Sequence, residues 1–282
     1  MGTPRTGLDL RIGTSGYDYP EWRGSFYPPG LARKDFLGFY SERFDTLEIN
    51  YTYYGQPRAE VFEGMLGRLR RPIDFSVKAY RRLTHERDLE TLPETAREFR
   101  AGLDPLIRAG SLAAVLLEFP SSFHYSPRER LYLARLLDEL GGVPLVVELR
   151  NAEWYGARVI EALRARDVGL CILDAPRLPG LPPIMDLVTG EIAYVRFHGR
   201  NSANWWTGDA GSRYEYLYSH EELAGWLPRL DALGAQAGKI RVYFNNHRRG
   251  NAAANACELA RFVNSSRLLE DGRRWDPEPS CT

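Results

Sequence analysis

Residues 192–200 read IAYVRFHGR, and the alternation inside this stretch decides the fold. Side chains alternate faces along a strand, so Tyr194, Arg196 and His198 share one side while Val195 and Phe197 share the other. Runs of the same kind recur at Leu10–Thr14, Thr46–Asn50, Asp74–Lys78, Ala113–Phe119, Leu145–Leu149, Gly169–Asp174 and Ile240–Asn246, which with Ile192–His198 makes eight. Short β-branched or aliphatic runs separated by longer helical patterns are the mark of βαβ units on a parallel sheet. An open doubly wound sheet would normally use about five to seven strands. Eight predicts closure into a single (β/α)8 TIM barrel of the α/β class.

Helical patterns lie between the runs at Lys34–Phe44, Pro57–Leu69, Pro93–Ala109, Pro127–Leu140, Ala152–Arg166, Ser219–Leu233 and Asn251–Val263, several of them opening on Pro or a small polar residue. The sixth crossover is different. Its Pro176, Pro179, Pro182 and Pro183 oppose a regular helix, so an extended connection is expected there. The barrel domain is expected to occupy residues 1–264, and residues 265–282, rich in charge and Pro, to form a loosely held tail.

The composition agrees with one large globular core: 282 residues, 44% hydrophobic and 26% charged. Basic and acidic residues balance at 37 each, which argues against a nucleic-acid partner bound through overall basicity. Cys171, Cys257 and Cys281 are far apart and form no CxxC pair, so reduced thiols are expected. No apolar run follows Arg5 within residues 1–10, and no later segment approaches the roughly 18 apolar residues of a membrane span. A cytoplasmic protein without a membrane partner is the expectation; the oligomeric state is not legible.

Parity along the strands then assigns a face to each polar residue. Glu48 with Asn50, Ser76 with Lys78, Glu148 with Arg150, and Tyr243 with Asn245 and His247 each share a side, against Leu47, Ile49, Phe75, Val77, Val147, Leu149, Val242 and Phe244. The surface beneath the helices of a barrel must be apolar, so the polar faces point inward and their charge gathers at the C-terminal strand ends, where barrel active sites lie. Glu118 and Asp174 end the fourth and sixth strands in the same way. Either these groups act on a substrate, or they satisfy one another as a buried ionic network.

Only three of the 37 basic residues are lysines (Lys34, Lys78 and Lys239), so a lysine on an inward face is notable. Lys78 is read as an anion clamp or a base whose pKa burial lowers, or else as an ion-pair partner of Glu48 or Glu118. Arg150, Arg196 and Arg200 suit bidentate capture of a phosphate or carboxylate, although Arg150 can equally pair with Glu148. Glu148, Asp174, His198 and His247 admit a divalent metal as cofactor or general acid and base roles, but their wide spacing is no metal motif. His85 is placed at the rim, and His124 and His220 at the surface. The aromatic clusters around Tyr17–Tyr27 and Tyr51–Tyr54 either stack on a ligand or pack loops onto the scaffold. The long segment 199–218, which carries Trp205 and Trp206, has the length of a lid. P-loop, GxGxxG, GxSxG and HExxH signatures are missing from the sequence.

The stretches GTSGY (13–17) with Trp22 and FYP (26–28), EINYTYY (48–54), Thr84 with His85, ELRNAEW (148–154), YVRFHGR (194–200) and FNNH (244–247) follow in order through nearly the whole chain. Together they resemble the YecE-like family, domain of unknown function 72. The resemblance implies a TIM barrel near the sugar isomerases and supplies no established activity. Glu118 stands where the resemblance leads one to expect Gln, and Ala253 where Pro is common, the first adding a negative charge to the mouth.

The leading expectation is an enzyme acting on a small polar or anionic substrate, a sugar or sugar phosphate, by isomerase- or lyase-like proton transfer. Its expected catalytic groups are Glu48, Lys78, Glu148, Asp174, His198 and His247, and its substrate-binding groups Asn50, Tyr54, His85, Arg150, Arg196, Arg200, Asn245, Asn246 and Trp205. Two alternatives stand beside it: a metal-dependent isomerase or phosphodiester-cleaving enzyme, and a non-catalytic binder of carbohydrate or single-stranded nucleic acid.

Overall fold

The computed structural model describes residues 8–207 and 210–271. Among them, nine parallel strands form one sheet: β1 (Asp9–Ser15), β2 (Thr46–Ile49), β3 (Asp74–Lys78), β4 (Leu112–Phe119), β5 (Leu145–Leu149), β6 (Gly169–Leu170), β7 (Ile172–Asp174), β8 (Ile192–Phe197) and β9 (Lys239–Phe244). Their spatial order is β6-β5-β4-β3-β2-β1-β9-β8-β7. The two end strands are consecutive pieces of one segment interrupted at Cys171, the first paired to β5 and the second to β8. The expected sixth strand is therefore present in two halves, and the nearly closed α/β barrel is the TIM-barrel architecture that eight runs predict.

Ten helices alternate with the strands among the described residues: α1 (Phe36–Ser41), α2 (Ala59–Leu66), α3 (Leu92–Gly102), α4 (Asp104–Arg108), α5 (Pro127–Glu139), α6 (Ala157–Ala165), α7 (Ala210–Arg213), α8 (His220–Ala224), α9 (Leu227–Gly234) and α10 (Asn251–Asp271). Residues 175–191, the proline-rich sixth crossover, contain no helix. Three expected helices are divided. Pro105 lies in the first turn of α4, where a missing N–H is harmless, so the pattern over Pro93–Ala109 breaks between α3 and α4. The pattern over Ala152–Arg166 becomes a 3-10 turn at Ala152–Trp154 followed by α6, with extended Gly156 between them. Ser219–Leu233 splits into α8, opened by a Ser219–Glu222 capping box, and α9, whose first turn holds Pro228.

Helix α10 continues through residues 265–271 of the segment expected as a tail, and 272–282 lie outside the described residues. Cys171 is free and buried, and Cys257 is buried on α10. Cys281 lies outside the described residues. No helix among the described residues is long and apolar enough to cross a membrane.

The strands divide two cores as parity requires. Leu47, Ile49, Phe75, Val77, Val115, Leu117, Val147, Leu149, Val195, Phe197, Val242 and Phe244 face the helices in the larger cluster. Ala114, Leu116, Val146, Cys171, Leu173, Ile192, Tyr194 and Tyr243 fill the barrel. Below that layer, Arg241 binds Asp74 at 2.7 Å and Asp9 at 2.6 Å, closing the N-terminal end with paired charge. At mid-height the Tyr243 hydroxyl joins Thr46 at 2.6 Å and Ser76 at 2.8 Å. Backbones crowd at Gly13, where a Cβ would stand 2.1 Å from the Thr46 carbonyl oxygen, so only glycine fits. The filled interior leaves the C-terminal mouth as the end where polar side chains can meet a ligand.

Candidate functional site

Strands β2, β3, β4, β5 and β8 each deliver a charged residue to one layer at the mouth: Glu48, Lys78, Glu118, Glu148 and Arg196. Arg196, about 1% exposed, is the hub. Its Nη2 donates to Glu48 Oε1 at 2.7 Å, and its Nη1 donates to Glu118 Oε2 at 3.2 Å and to Glu148 Oε2. Tyr194 donates its hydroxyl to the other Glu48 oxygen at 2.8 Å. Arg150, just past β5, reaches Glu148 at 2.8 Å and Glu118 at 3.1 Å, and donates to the Tyr214 hydroxyl at 3.1 Å. Lys78 Nζ lies 2.9 Å from Glu118 and 4.4 Å from the centre of the Tyr53 ring. Of the two partners expected for Lys78, the structure gives Glu118.

Burial acts to raise the carboxyls, and the cations outweigh it. Arg150 and Lys78 bring Glu118 down to about 2, and Arg196 with Arg150 holds Glu148 well below the ordinary carboxylate range. Both groups therefore stabilise the fold fully above about pH 4.5, their unfolded value, and that contribution is lost as pH falls toward 2. Acid unfolding followed by circular dichroism is expected to begin inside this window. A fold equally stable at pH 5 and pH 2.5 would contradict the pairing.

His198 sits beside the network. Asn245 donates from Nδ2 to its Nδ1 over 3.1 Å, which leaves the proton of a neutral ring on Nε2. Nε2 is 3.3 Å from Glu148 Oε1 yet out of line for a hydrogen bond. Burial lowers His198 below its usual 6.5 despite the pull of Glu148, so the ring is neutral at pH 7. Tyr214 lies 5.5 Å and Trp205 6.4 Å from it, centre to centre, so the long segment after β8 covers this side of the mouth. His85 follows β3 in a π-helical turn, 4.9 Å from the Tyr53 ring, and burial lowers it to about 4. Tyr54 and Trp206 are the two most exposed aromatic rings of the loops that follow β2 and β8, at 78% and 53%.

The structure thus brings together Glu48, Lys78, Glu148, Arg150, Arg196, His198 and Asn245 of the expected set, with His85 beside Tyr53 at the edge. It does not bring Asp174 in. Alternation runs unbroken through Cys171: Leu170 and Ile172 face the helices, Cys171 and Leu173 the barrel, and Asp174 the helices again, where it accepts from Tyr218 at 2.9 Å, Trp226 at 2.8 Å and the Nε and Nη2 of Arg200. Arg200 is accordingly spent on Asp174 and Glu222 and anchors the loop. Asn246 also points outward, to the Tyr216 carbonyl and Asn255. His247 stacks on Tyr19 at 4.9 Å, and Trp22 donates to its carbonyl at 2.7 Å. Trp22 and Tyr27 are buried, so the first aromatic cluster packs its loop onto the scaffold. Glu118, Tyr53 and Tyr214 were absent from the expected set. Parity on β4 marks Glu118, while no local signal marks Tyr214.

Because Asp174 and His247 lie elsewhere, Glu148, Asp174, His198 and His247 do not converge, and no group of three ligand-type residues placed for a metal exists among the described residues. Four buried polar atoms on the mouth-facing ends of the strands lack a hydrogen-bond partner: Ser15 Oγ, Asn50 Oδ1, Arg196 Nε and His198 Nε2. Four further such atoms, Gln56 Oε1, Asp74 Oδ1, Arg213 Nε and Asn246 Oδ1, belong to other parts of the fold; buried polar atoms are nearly always paired, so each open atom at the mouth marks a point where water or a ligand can bind.

The profile of the family described as Protein of unknown function DUF72 matches residues 11–278. The chain is 28% identical over 254 residues to UPF0759 protein YunF of Bacillus subtilis (strain 168), spanning 85% of this chain and 90% of that one. Its fold is similar to a crystal structure of a DUF72 family protein from Thermotoga maritima MSB8, with a TM-score of 0.84 and 34% identity over 90% of this chain and 99% of that one. A DUF72 family protein from Enterococcus faecalis V583 gives a TM-score of 0.80 and 25% identity, over 90% and 95% of the two chains.

Proposed function

The chain belongs to the DUF72 family of unknown function, and from that premise we propose that its barrel mouth is the active site of an enzyme acting on a small, uncharged polyhydroxylated substrate of the sugar class. The observation that carries this reading is that Ser15 Oγ, Asn50 Oδ1, Arg196 Nε and His198 Nε2, all on strand ends that face the mouth, are buried without a hydrogen-bond partner. They are two donors and two groups able to accept, a mixture that suits hydroxyl groups, which do both.

The chemistry is isomerase- or lyase-like proton transfer. His198 Nε2–H polarises a substrate oxygen as a neutral donor, and Lys78 with Arg150, about 14% and 17% exposed, holds further oxygens at the solvent edge. His85, which burial lowers to about 4, is neutral at pH 7 and stands at that edge as a weakly basic proton acceptor. Tyr54 and Trp206 offer exposed faces on which a sugar ring can stack. Substrate reaches His198 by displacing Trp205 and Tyr214, a lid movement. Three carboxylates against three cations leave no surplus charge for a phosphate, which favours the free sugar over the sugar phosphate.

Purified protein incubated with a panel of free aldoses and ketoses and their phosphates tests the assignment by product formation. Turnover of a free sugar is expected, falling about 100-fold or more in Lys78→Ala. Equal turnover in that variant would sink the proposal, and binding without product would assign a non-catalytic carbohydrate binder instead.

A further inference from the structure

All three cations of the mouth converge on one oxygen. Glu118 Oε2 lies 2.9 Å from Lys78 Nζ, 3.1 Å from Arg150 Nη2 and 3.2 Å from Arg196 Nη1. The other carboxylates are matched differently: Glu148 is shared by Arg196 and Arg150, and Glu48 by Arg196 and the Tyr194 hydroxyl. Without the charge of Glu118, three cations would face two carboxylates, and Lys78 would keep the Tyr53 ring as its nearest partner. A guanidinium fork beside an ammonium point charge is the donor set that holds phosphates and carboxylates.

We propose that Glu118 occupies an anion subsite as a built-in anion, and that it thereby restricts the mouth to uncharged ligands. This deepens the reading of the mouth as a substrate site and rests on it. Three further observations support the assignment. Glu118 and Glu148 are register neighbours on β4 and β5, and like charges placed side by side repel, so the second carboxylate is kept against a local cost. A glutamine would fit the same space without that repulsion. The charge is permanent at physiological pH, since Arg150 and Lys78 hold the carboxyl down at about 2 against the effect of burial. Lys78 and Arg150 are the partly exposed members of the cluster, so a dissolved anion could reach them once the carboxylate is gone.

The probe is inorganic phosphate, titrated by calorimetry into wild type, Glu118→Gln and Glu118→Gln with Lys78→Gln. Wild type is expected to give no saturable heat. Glu118→Gln is expected to bind phosphate at least about tenfold more tightly, with affinity that falls as sodium chloride is added and is lost again in the double variant. A folded Glu118→Gln that takes up no phosphate would overturn the proposal. Should that variant fail to fold, wild type still decides: saturable phosphate binding that Lys78→Gln abolishes shows that Glu118 excludes nothing, and its absence supports the exclusion. Phosphate binding is read without turnover, so a failed sugar screen and a failed anion gate remain separate results.

Discussion

Arg196→Met is expected to destabilise the protein by about 3–5 kcal/mol, the usual cost of removing one partner from a buried ion network. Arg196 touches three carboxylates and is about 1% exposed. Methionine fills much of the space and none of the charge. Glu118 would keep Lys78 and Arg150, and Glu148 would keep Arg150, but Glu48 would be left with the Tyr194 hydroxyl as its single partner. The orphaned charge is therefore at Glu48, and Glu48→Gln in the Arg196→Met background is expected to restore part of the loss. Urea midpoints of wild type, both single variants and the double variant measure this as a mutant cycle. Arg196→Lys should restore little, because one ammonium cannot span partners on opposite sides of the barrel. Midpoints that agree for wild type and Arg196→Met would mean that the network contributes nothing to stability.

The second large effect concerns turnover. Glu148→Gln keeps the shape of the side chain and removes the charge that touches Arg196, Arg150 and His198 together. On the proposed sugar substrate it is expected to lower kcat by about 100-fold or more, with KM changed less, because His198 and Arg150 lose their orientation rather than their presence. The pH profile separates this from general damage. Burial lowers His198, and Glu148 pulls it the other way, so losing the carboxylate lowers the histidine further. The acid limb of kcat/KM is thus expected to move to lower pH in Glu148→Gln. A limb that stays in place, or moves up, would remove His198 from the titrating step. Full activity in the variant would remove Glu148 from the site.

Much of this mouth is legible from strand parity. Placing Glu48, Lys78, Glu148, Arg150, Arg196, His198 and Asn245 on inward faces requires only that the strands be regular and their outer faces apolar, and in β2, β3, β5, β8 and β9 they are. Parity holds in the sixth run as well: Leu170 and Ile172 face the helices and Cys171 and Leu173 the barrel, so Asp174 falls on the outer face, among Tyr218, Trp226 and Arg200. The expectation that Asp174 enters the mouth rests on its place at a strand end, which parity does not support. The rule weakens beyond the last ladder bond, where His247, on the inward parity of Tyr243 and Asn245, turns to the β1 loop, whereas Asn246 keeps the outward parity of Val242 and Phe244 and reaches Asn255 on α10. The broken helices show a similar limit. Hydrophobic period continues across Pro105, Gly156 and Pro228, whereas the helical hydrogen-bond ladder does not.

Periodicity, a local property of neighbouring residues, was enough to determine the class of fold, the number of runs and the face on which each regular strand carries its charge. Which charges touch was decided by the barrel alone. The convergence of Lys78, Arg150 and Arg196 on one oxygen of Glu118, and the cover of Tyr214 and Trp205 over His198, join residues up to 78 positions apart. Such pairings depend on strand stagger, loop path and the few tenths of an ångström that separate an ion pair from a gap. Those distances exist only once the sheet has closed.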